Sequence, residues 1–205
     1  MLIEFIAQSI RHRRTVGAVL PSSKGLCRAL AVTTTSNRQG PLRILEVGAG
    51  TGPVTAELLT RMQPGDHLDA VELNESFCEI LRGRFPGLPV HPISILDYEA
   101  APYDRIVSGL PLANFPAEMV EAIYIKLFSL LKPDGQFVMF HYLAIRETLR
   151  RIGGAESRKN LVKILEMEQR LRPVVVAEVR VPWNVPPAVV TVRRRPEDTQ
   201  KLLTG

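Results

Sequence analysis

Leu42-Arg43-Ile44-Leu45-Glu46-Val47-Gly48-Ala49-Gly50-Thr51-Gly52 is the stretch on which the fold turns. A short apolar run ends in three alternating glycines, after which Val54, Leu58, Leu59 and Met62 recur at helical spacing. A strand, a tight loop and a helix in that order are the repeating unit of a parallel α/β sheet. Gly48 and Gly50 let the chain turn sharply and let a ligand approach the main chain closely. A dinucleotide fingerprint would read G-x-G-x-x-G, with a pyrophosphate on the helix N-terminus. Here the third glycine comes one residue early. Glu46, two residues before the loop, would repel a pyrophosphate but accept an ammonium or a ribose hydroxyl.

Outward from this unit the same alternation continues. Leu68 to Leu73 predicts a second strand with Glu72 at its end, and residues 75–85 predict a helix. Residues 90–95 and 103–110 predict two more strands, residues 116–131 a helix and Lys132-Pro133-Asp134-Gly135 a turn before a strand over 136–142. A basic amphipathic helix over 157–171 precedes two strands, 174–181 and 188–193, joined by the proline-rich stretch 182–187. Toward the N-terminus, Ser22 or Ser23 caps a predicted helix over 24–32, followed by a loop over 33–40. Residues from Pro196 onward read as a frayed tail. Together these elements predict a mostly parallel seven-stranded sheet with a C-terminal antiparallel hairpin.

The chain has 205 residues, 45% hydrophobic and 23% charged, which suits one soluble domain. Its formal charge of +5 favours an anionic partner: nucleic acid, an acidic membrane surface or a phosphorylated small molecule. Cys27 and Cys78 sit in apolar helical stretches without metal-type neighbours, so they are expected to be reduced buried thiols, and no metal is expected. No apolar run reaches the length of a membrane span. The N-terminus lacks a secretory pattern, so a cytoplasmic location is expected. Instead Leu2, Ile3, Ile6 and Ile10 share one helical face near Phe5, ahead of Arg11, His12, Arg13 and Arg14. Such a segment, residues 2–14, suits an interfacial helix on anionic lipid. It equally suits a helix packed on the domain, or one that exchanges between the two.

The order acid, then Gly-x-Gly-x-Gly, resembles class I S-adenosylmethionine-dependent methyltransferases. The resemblance implies a Rossmann-like fold, S-adenosylmethionine as cofactor and S-adenosylhomocysteine as product. It implies cofactor contacts from Glu46, Gly48, Ala49, Gly50, Thr51 and Gly52. Glu72, 20 residues past Gly52, is placed to accept both ribose hydroxyls, with Leu73 beside it. Leu96 and Asp97 would meet the adenine ring and its amino group, and Ser108 would complete the set.

Two narrower resemblances concern the acceptor. Residues 45–85 look much like ribosomal RNA adenine dimethyltransferases, which carry Asn-Leu-Pro and then a base-stacking aromatic after the fourth strand. Here Gly109 stands for the Asn and Leu112 for the aromatic, and the helical RNA-binding domain of those enzymes is not seen. The other resemblance is to bacterial phospholipid N-methyltransferases, which convert phosphatidylethanolamine to phosphatidylcholine. It rests on four segments: the stretch 16–23 (Val-Gly-Ala-Val-Leu-Pro-Ser-Ser), the glycine loop, the stretch 108–116 (Ser-Gly-Leu-Pro-Leu-Ala-Asn-Phe-Pro) and the stretch 184–188 (Asn-Val-Pro-Pro-Ala). Val16, where Thr is expected, and Ala144-Ile145-Arg146, where the family tends to have Gly and Pro, depart from it.

This second resemblance implies a phospholipid N-methyltransferase of the cytoplasm, peripherally held at the inner membrane through residues 2–14. No nucleic acid and no obligate protein partner are expected. Residues 1–40 would cover the substrate, and residues 41–195 would form the cofactor-binding catalytic unit of one overall domain. Carbonyls of Ser108, Gly109 and Leu110, with the Ser108 hydroxyl, are candidates to orient the amine. His141 and Tyr142 are the nearest candidates for a proton acceptor or a head-group wall. Ser22, Ser23 and Lys24 are candidates for the phosphate, though a simple helix cap explains them equally, and Asn184 either faces the pocket or holds the hairpin turn. An RNA adenine N6-methyltransferase and a non-catalytic S-adenosylmethionine-binding protein are the alternatives.

Overall fold

The computed structural model describes residues 23–143 and 154–204. The predicted N-terminal helix over 2–14, Ser22 and the stretch 144–146 lie outside the described residues. The elements are α1 (Lys24–Thr35), β1 (Arg43–Val47), α2 (Pro53–Leu59), β2 (His67–Val71), α3 (Glu75–Arg84), β3 (Val90–His91) and β4 (Tyr103–Ser108). They continue with α4 (Ala117–Ser129), β5 (Leu131–Tyr142), α5 (Ala155–Arg170), β6 (Val175–Val181), β7 (Ala188–Arg194) and α6 (Thr199–Thr204). The seven strands form one sheet in the order β3-β2-β1-β4-β5-β7-β6. Strands β1 to β5 pair in parallel, and β7 lies antiparallel between β5 and β6. This is the Rossmann-like α/β sheet, with its late hairpin, that the alternation of strands and helices predicts.

Neighbouring residues on each central strand point to opposite faces, and helices bury both. Ile44, Val107, Val138 and Val190 pack under α1 with Leu26, Cys27, Leu30 and Ala31. Leu45, Ile106, Phe137 and Met139 pack on the other face against Val120, Ile123, Tyr124, Leu127 and Phe128 of α4. Met167 and Leu171 extend that second layer. Cys27 and Cys78 are both free and buried, and burial pushes each thiol up to about 11.

Several boundaries differ from the predicted ones, each for a local reason. Helix α1 runs on to Thr35, because Thr34 and Thr35 donate their hydroxyls to the carbonyls of Leu30 and Ala31 at 2.8 and 2.9 Å. Strand β3 stops at His91 because Pro92 has no N–H to continue the ladder. The predicted turn 132–135 is absorbed into β5 as an irregularity: Leu131 pairs with Tyr103, but the next partner of Arg105 is Gln136. The frayed tail is instead α6. Its Leu203 is 1% exposed in the core, and the Leu203 carbonyl accepts from Arg170 at 2.9 Å. Among the described residues no helix is long and apolar enough to cross a membrane.

Candidate active site

At the C-terminal ends of β1 and β4 two loops interlock. Gly48, Gly50 and Gly52 take positive φ values of 72°, 60° and 83°, so glycine is needed for the backbone path itself. The Gly48 N–H donates to Val71 O at 2.8 Å, and the Gly109 N–H donates to Val47 O at 2.8 Å. Gly109 is needed for space: a Cβ there would lie 2.8 Å from the Gly48 carbonyl oxygen. Ala49 is buried, and Thr51 is exposed with its carbonyl accepting from Arg84.

Glu72, at the end of β2, is 5% exposed. One carboxylate oxygen accepts from the Gly50 N–H at 2.8 Å and the other from the Asn74 N–H at 2.9 Å. The same carboxylate therefore pins the glycine loop and looks into a small cavity of about 50 Å³. Val71, Leu73, Phe77, Ile95 and Leu96 give that cavity apolar walls. It is a slot for a flat ring beside an acid suited to a diol. Asp97 follows Leu96 and is itself exposed, outside the lining.

Gly48, Phe77, Gly109, Leu110 and Pro111 also line a second, adjoining cavity of about 290 Å³. Its inner end holds Glu46, which is 2% exposed and accepts from the Thr55 hydroxyl at 2.6 Å. Burial pushes the Glu46 carboxyl from 4.5 up to about 8, so the ligand-free site holds it as the neutral acid near neutral pH. A cation seated against it would restore the carboxylate. Between the apolar slot with its diol acceptor and the buried acid, the two cavities fit a ligand with a nucleoside at one end and positive charge at the other.

The remaining lining is the outer part of the site. Leu110 to Asn114 supply one wall, α5 supplies Leu161, Ile164 and Leu165, and β5 supplies Phe140, His141 and Tyr142. His141 Nε2 lies 3.4 Å from Thr191 Oγ1 and 3.7 Å from a Glu168 oxygen. The Tyr142 ring packs edge-on against Phe140, with centroids 5.1 Å apart. Ser108 is 1% exposed and accepts from the Leu110 N–H at 3.2 Å, so it shapes the turn from beneath and does not line either cavity. Ser23 and Asn184 are brought together: the Ser23 hydroxyl caps α1 through Leu26 N and donates to Asn184 Oδ1 at 2.5 Å. Lys24 is exposed on α1, and none of these three lines either cavity.

Sequence reasoning missed Glu168 and Arg193. Glu168 accepts from the Tyr124 hydroxyl and from Arg193, and the Arg193 side chain is 2% exposed. Arg193 Nη1 also donates to Thr191 Oγ1 at 3.3 Å. The signal was present in both elements. Glu168 continues the apolar stripe of Leu161, Ile164 and Leu165 at helical spacing. Arg193 alternates with Val190 and Val192 on a strand, which directs it to the opposite face of the sheet.

Residues 44–135 match the family model described as a methyltransferase domain. This stretch is a class I methyltransferase domain. S-adenosylmethionine is the cofactor, and the paired cavities offer it a carboxylate beside the apolar slot, Glu72, and a buried acid at the inner end, Glu46. An ornithine lipid N-methyltransferase from Singulisphaera acidiphila is 28% identical over 145 residues, covering 65% of this chain and 73% of that protein. A ribosomal RNA small subunit methyltransferase A from a Synechococcus strain is 28% identical over 169 residues, or 79% of this chain. The chain spans 59% of that RNA enzyme's length. Among solved structures, the N-methyltransferase NodS of Bradyrhizobium japonicum, with S-adenosylhomocysteine, superposes with a TM-score of 0.61 at 20% identity. That likeness covers 83% of this chain and 86% of NodS. The 1,6-didemethyltoxoflavin-N1-methyltransferase of Burkholderia thailandensis gives 0.63 at 17% identity, covering 96% and 88%. These two likenesses establish the fold.

The methyltransferase domain carries a testable pH signature at Glu46. Because the folded carboxyl is raised above its unfolded value, the folded state holds the extra proton between pH 4.5 and about 8. The ligand-free protein therefore loses stability through this group as pH rises across that window. Glu46→Gln is expected to remove this loss, so its melting temperature gains on the parent between pH 5 and pH 8. Parallel melting curves for the two proteins at both pH values would sink the assignment.

Proposed function

We propose that the chain transfers methyl groups from S-adenosylmethionine to the amine of a membrane lipid, phosphatidylethanolamine and its mono- and dimethylated forms. The observation that carries this reading is the acceptor wall. After Gly109-Leu110-Pro111 the chain places Leu112, 5% exposed and part of the central core, where a base-stacking aromatic would stand in an RNA adenine enzyme. Base stacking on such an aromatic is worth about 1–3 kcal/mol. Leu110, Pro111, Leu161, Ile164 and Leu165 give the approach an apolar wall, which suits the acyl portion of a lipid. The named activity of the Singulisphaera relative, N-methylation of an ornithine lipid, supports an amino-lipid acceptor.

When bound, S-adenosylmethionine supplies an electrophilic methyl on a positively charged sulfur. The chain's own task is to hold an amine lone pair in line with that methyl and to keep water away. Carbonyls of Gly109 and Leu110, which line the cavity, would accept hydrogen bonds from the amine. The half-buried His141 and Tyr142 form the far wall and would take up the proton that the amine sheds. We place the protein at the cytoplasmic face of the membrane.

The deciding measurement uses methyl-labelled cofactor with phosphatidylethanolamine vesicles, ornithine lipid vesicles and ribosomal RNA in parallel. Label is expected in phosphatidylethanolamine. Label in ornithine lipid alone would move the head group but keep the lipid class. Label in RNA alone would overturn the reading, and retained cofactor affinity with no transfer anywhere would make the chain a binding protein.

A further inference from the structure

The turn between β6 and β7 exposes apolar side chains beside the substrate cavity. Trp183 is 86% exposed and Val185 72%, while Asn184 between them is 2% exposed. Asn184 is held from several directions. Its N–H donates to Val181 O at 3.2 Å, its Nδ2 donates to Pro186 O at 2.6 Å, and its Oδ1 accepts from Ser23. With Asn184 anchored inward, its two neighbours are held outward on a turn that also contains Pro182, Pro186 and Pro187. Leu143, 54% exposed, lies alongside, its N–H donating to Pro187 O at 2.8 Å.

The position of this turn matters as much as its exposure. Ala188 pairs with Tyr142, the cavity-lining residue at the end of β5. Strand β5 runs parallel to β1 and β4, so the turn shares the sheet edge that carries Gly48 and Gly109. In the two segments that meet at the Ser23–Asn184 contact, the charged residues are all basic. Lys24 and Arg28 are exposed one turn apart on α1, directly after Ser23, and Arg180 is exposed just before Val181. The segments 23–29 and 180–188 contain no acid.

We propose that the β6–β7 turn, with Leu143, dips into a bilayer containing anionic lipid and sets the cavity mouth at the level of the head groups. This rests on the amino-lipid reading above. Tryptophan favours the boundary between water and hydrocarbon, where its ring is buried and its N–H stays wet. Lys24, Arg28 and Arg180 would meet the lipid phosphates.

Trp183 is the only tryptophan in the chain, so its emission reports on this turn directly. The 205-residue chain is titrated with vesicles of phosphatidylethanolamine and phosphatidylglycerol. The emission is expected to move to shorter wavelength and to be quenched by lipids brominated in the acyl chain. Trp183→Ala is expected to weaken vesicle binding about tenfold, and Trp183→Phe to restore most of it, with cofactor affinity unchanged in both. Vesicle binding without any change in emission would overturn the proposal. So would emission already shifted and shielded before lipid is added, because another part of the chain or a second copy would then cover the turn. Methylation of detergent-dispersed phosphatidylethanolamine separates the two claims. Loss of transfer in Trp183→Ala only on vesicles supports the docking turn. Equal transfer on vesicles and in detergent overturns it while leaving the lipid reading intact. No transfer by the parent protein to lipid in either form removes the lipid reading itself.

Discussion

Replacing Glu72 with Ala is expected to weaken cofactor binding on the order of a hundredfold. The carboxylate faces the nucleoside slot from 5% exposure, so its hydrogen bonds to ribose hydroxyls would form with little competition from water. A charged hydrogen bond of that kind is worth about 1.5–3 kcal/mol. The substitution has a second effect, because Glu72 also accepts from the Gly50 and Asn74 N–H groups. Without it the glycine loop loses the acceptor that holds Gly50 in place. Glu72→Gln keeps one acceptor oxygen and is expected to lose less. Calorimetric titration with S-adenosylhomocysteine checks both variants, with a thermal melt to confirm folding. An affinity within a factor of two of the parent would show that Glu72 does not hold the ribose.

The largest loss of stability is expected from Glu168→Ala, about 3–5 kcal/mol. Glu168 is the carboxylate paired with Arg193, whose side chain is 2% exposed and whose Nε has no hydrogen-bond partner among the described residues. Removing the acid leaves a buried guanidinium uncompensated, and it also removes the acceptor of the Tyr124 hydroxyl. A domain of this size loses roughly 2–4 °C of melting temperature per kcal/mol. The drop should therefore be of the order of 10 °C. Combining Glu168→Leu with Arg193→Met is expected to recover most of it, since an apolar pair leaves no charge stranded. Urea unfolding of the single and double variants measures this. A single variant as stable as the parent would mean that the pair is already hydrated.

The central sheet was readable because its strands are buried on both faces and its glycine loop has no other geometry open to it. Gly48, Glu46 and Glu72 could be named in advance because each stands at a strand end, where the chain must turn and a ligand meets the main chain. The elements that were misplaced depend on distant partners. Leu203 makes α6 a helix only because there is a core for it to enter. Lys132 to Gly135 carry strong turn residues, yet pairing with β4 takes them into a strand. Glu168 lies in a stretch that reads as a basic amphipathic helix and Arg193 at the end of a predicted strand, and their meeting requires α5 to lie over β7. Ser23 and Asn184 were both singled out, but for separate tasks; in the fold they bind each other.

That last contact has a consequence for how the polypeptide is made. Ser23 caps α1, and its partner Asn184 lies 161 residues later. The face of the sheet under α1 is also completed late, by Val190 and Val192 of β7. A ribosome adding about 5–20 residues per second needs roughly 10–30 s to travel from one serine to the other end of that bond. For that interval Leu26, Leu30 and Ala31 of α1 wait for the part of their cover that Val190 and Val192 supply, so this face of the newborn chain stays incompletely buried until the hairpin is made.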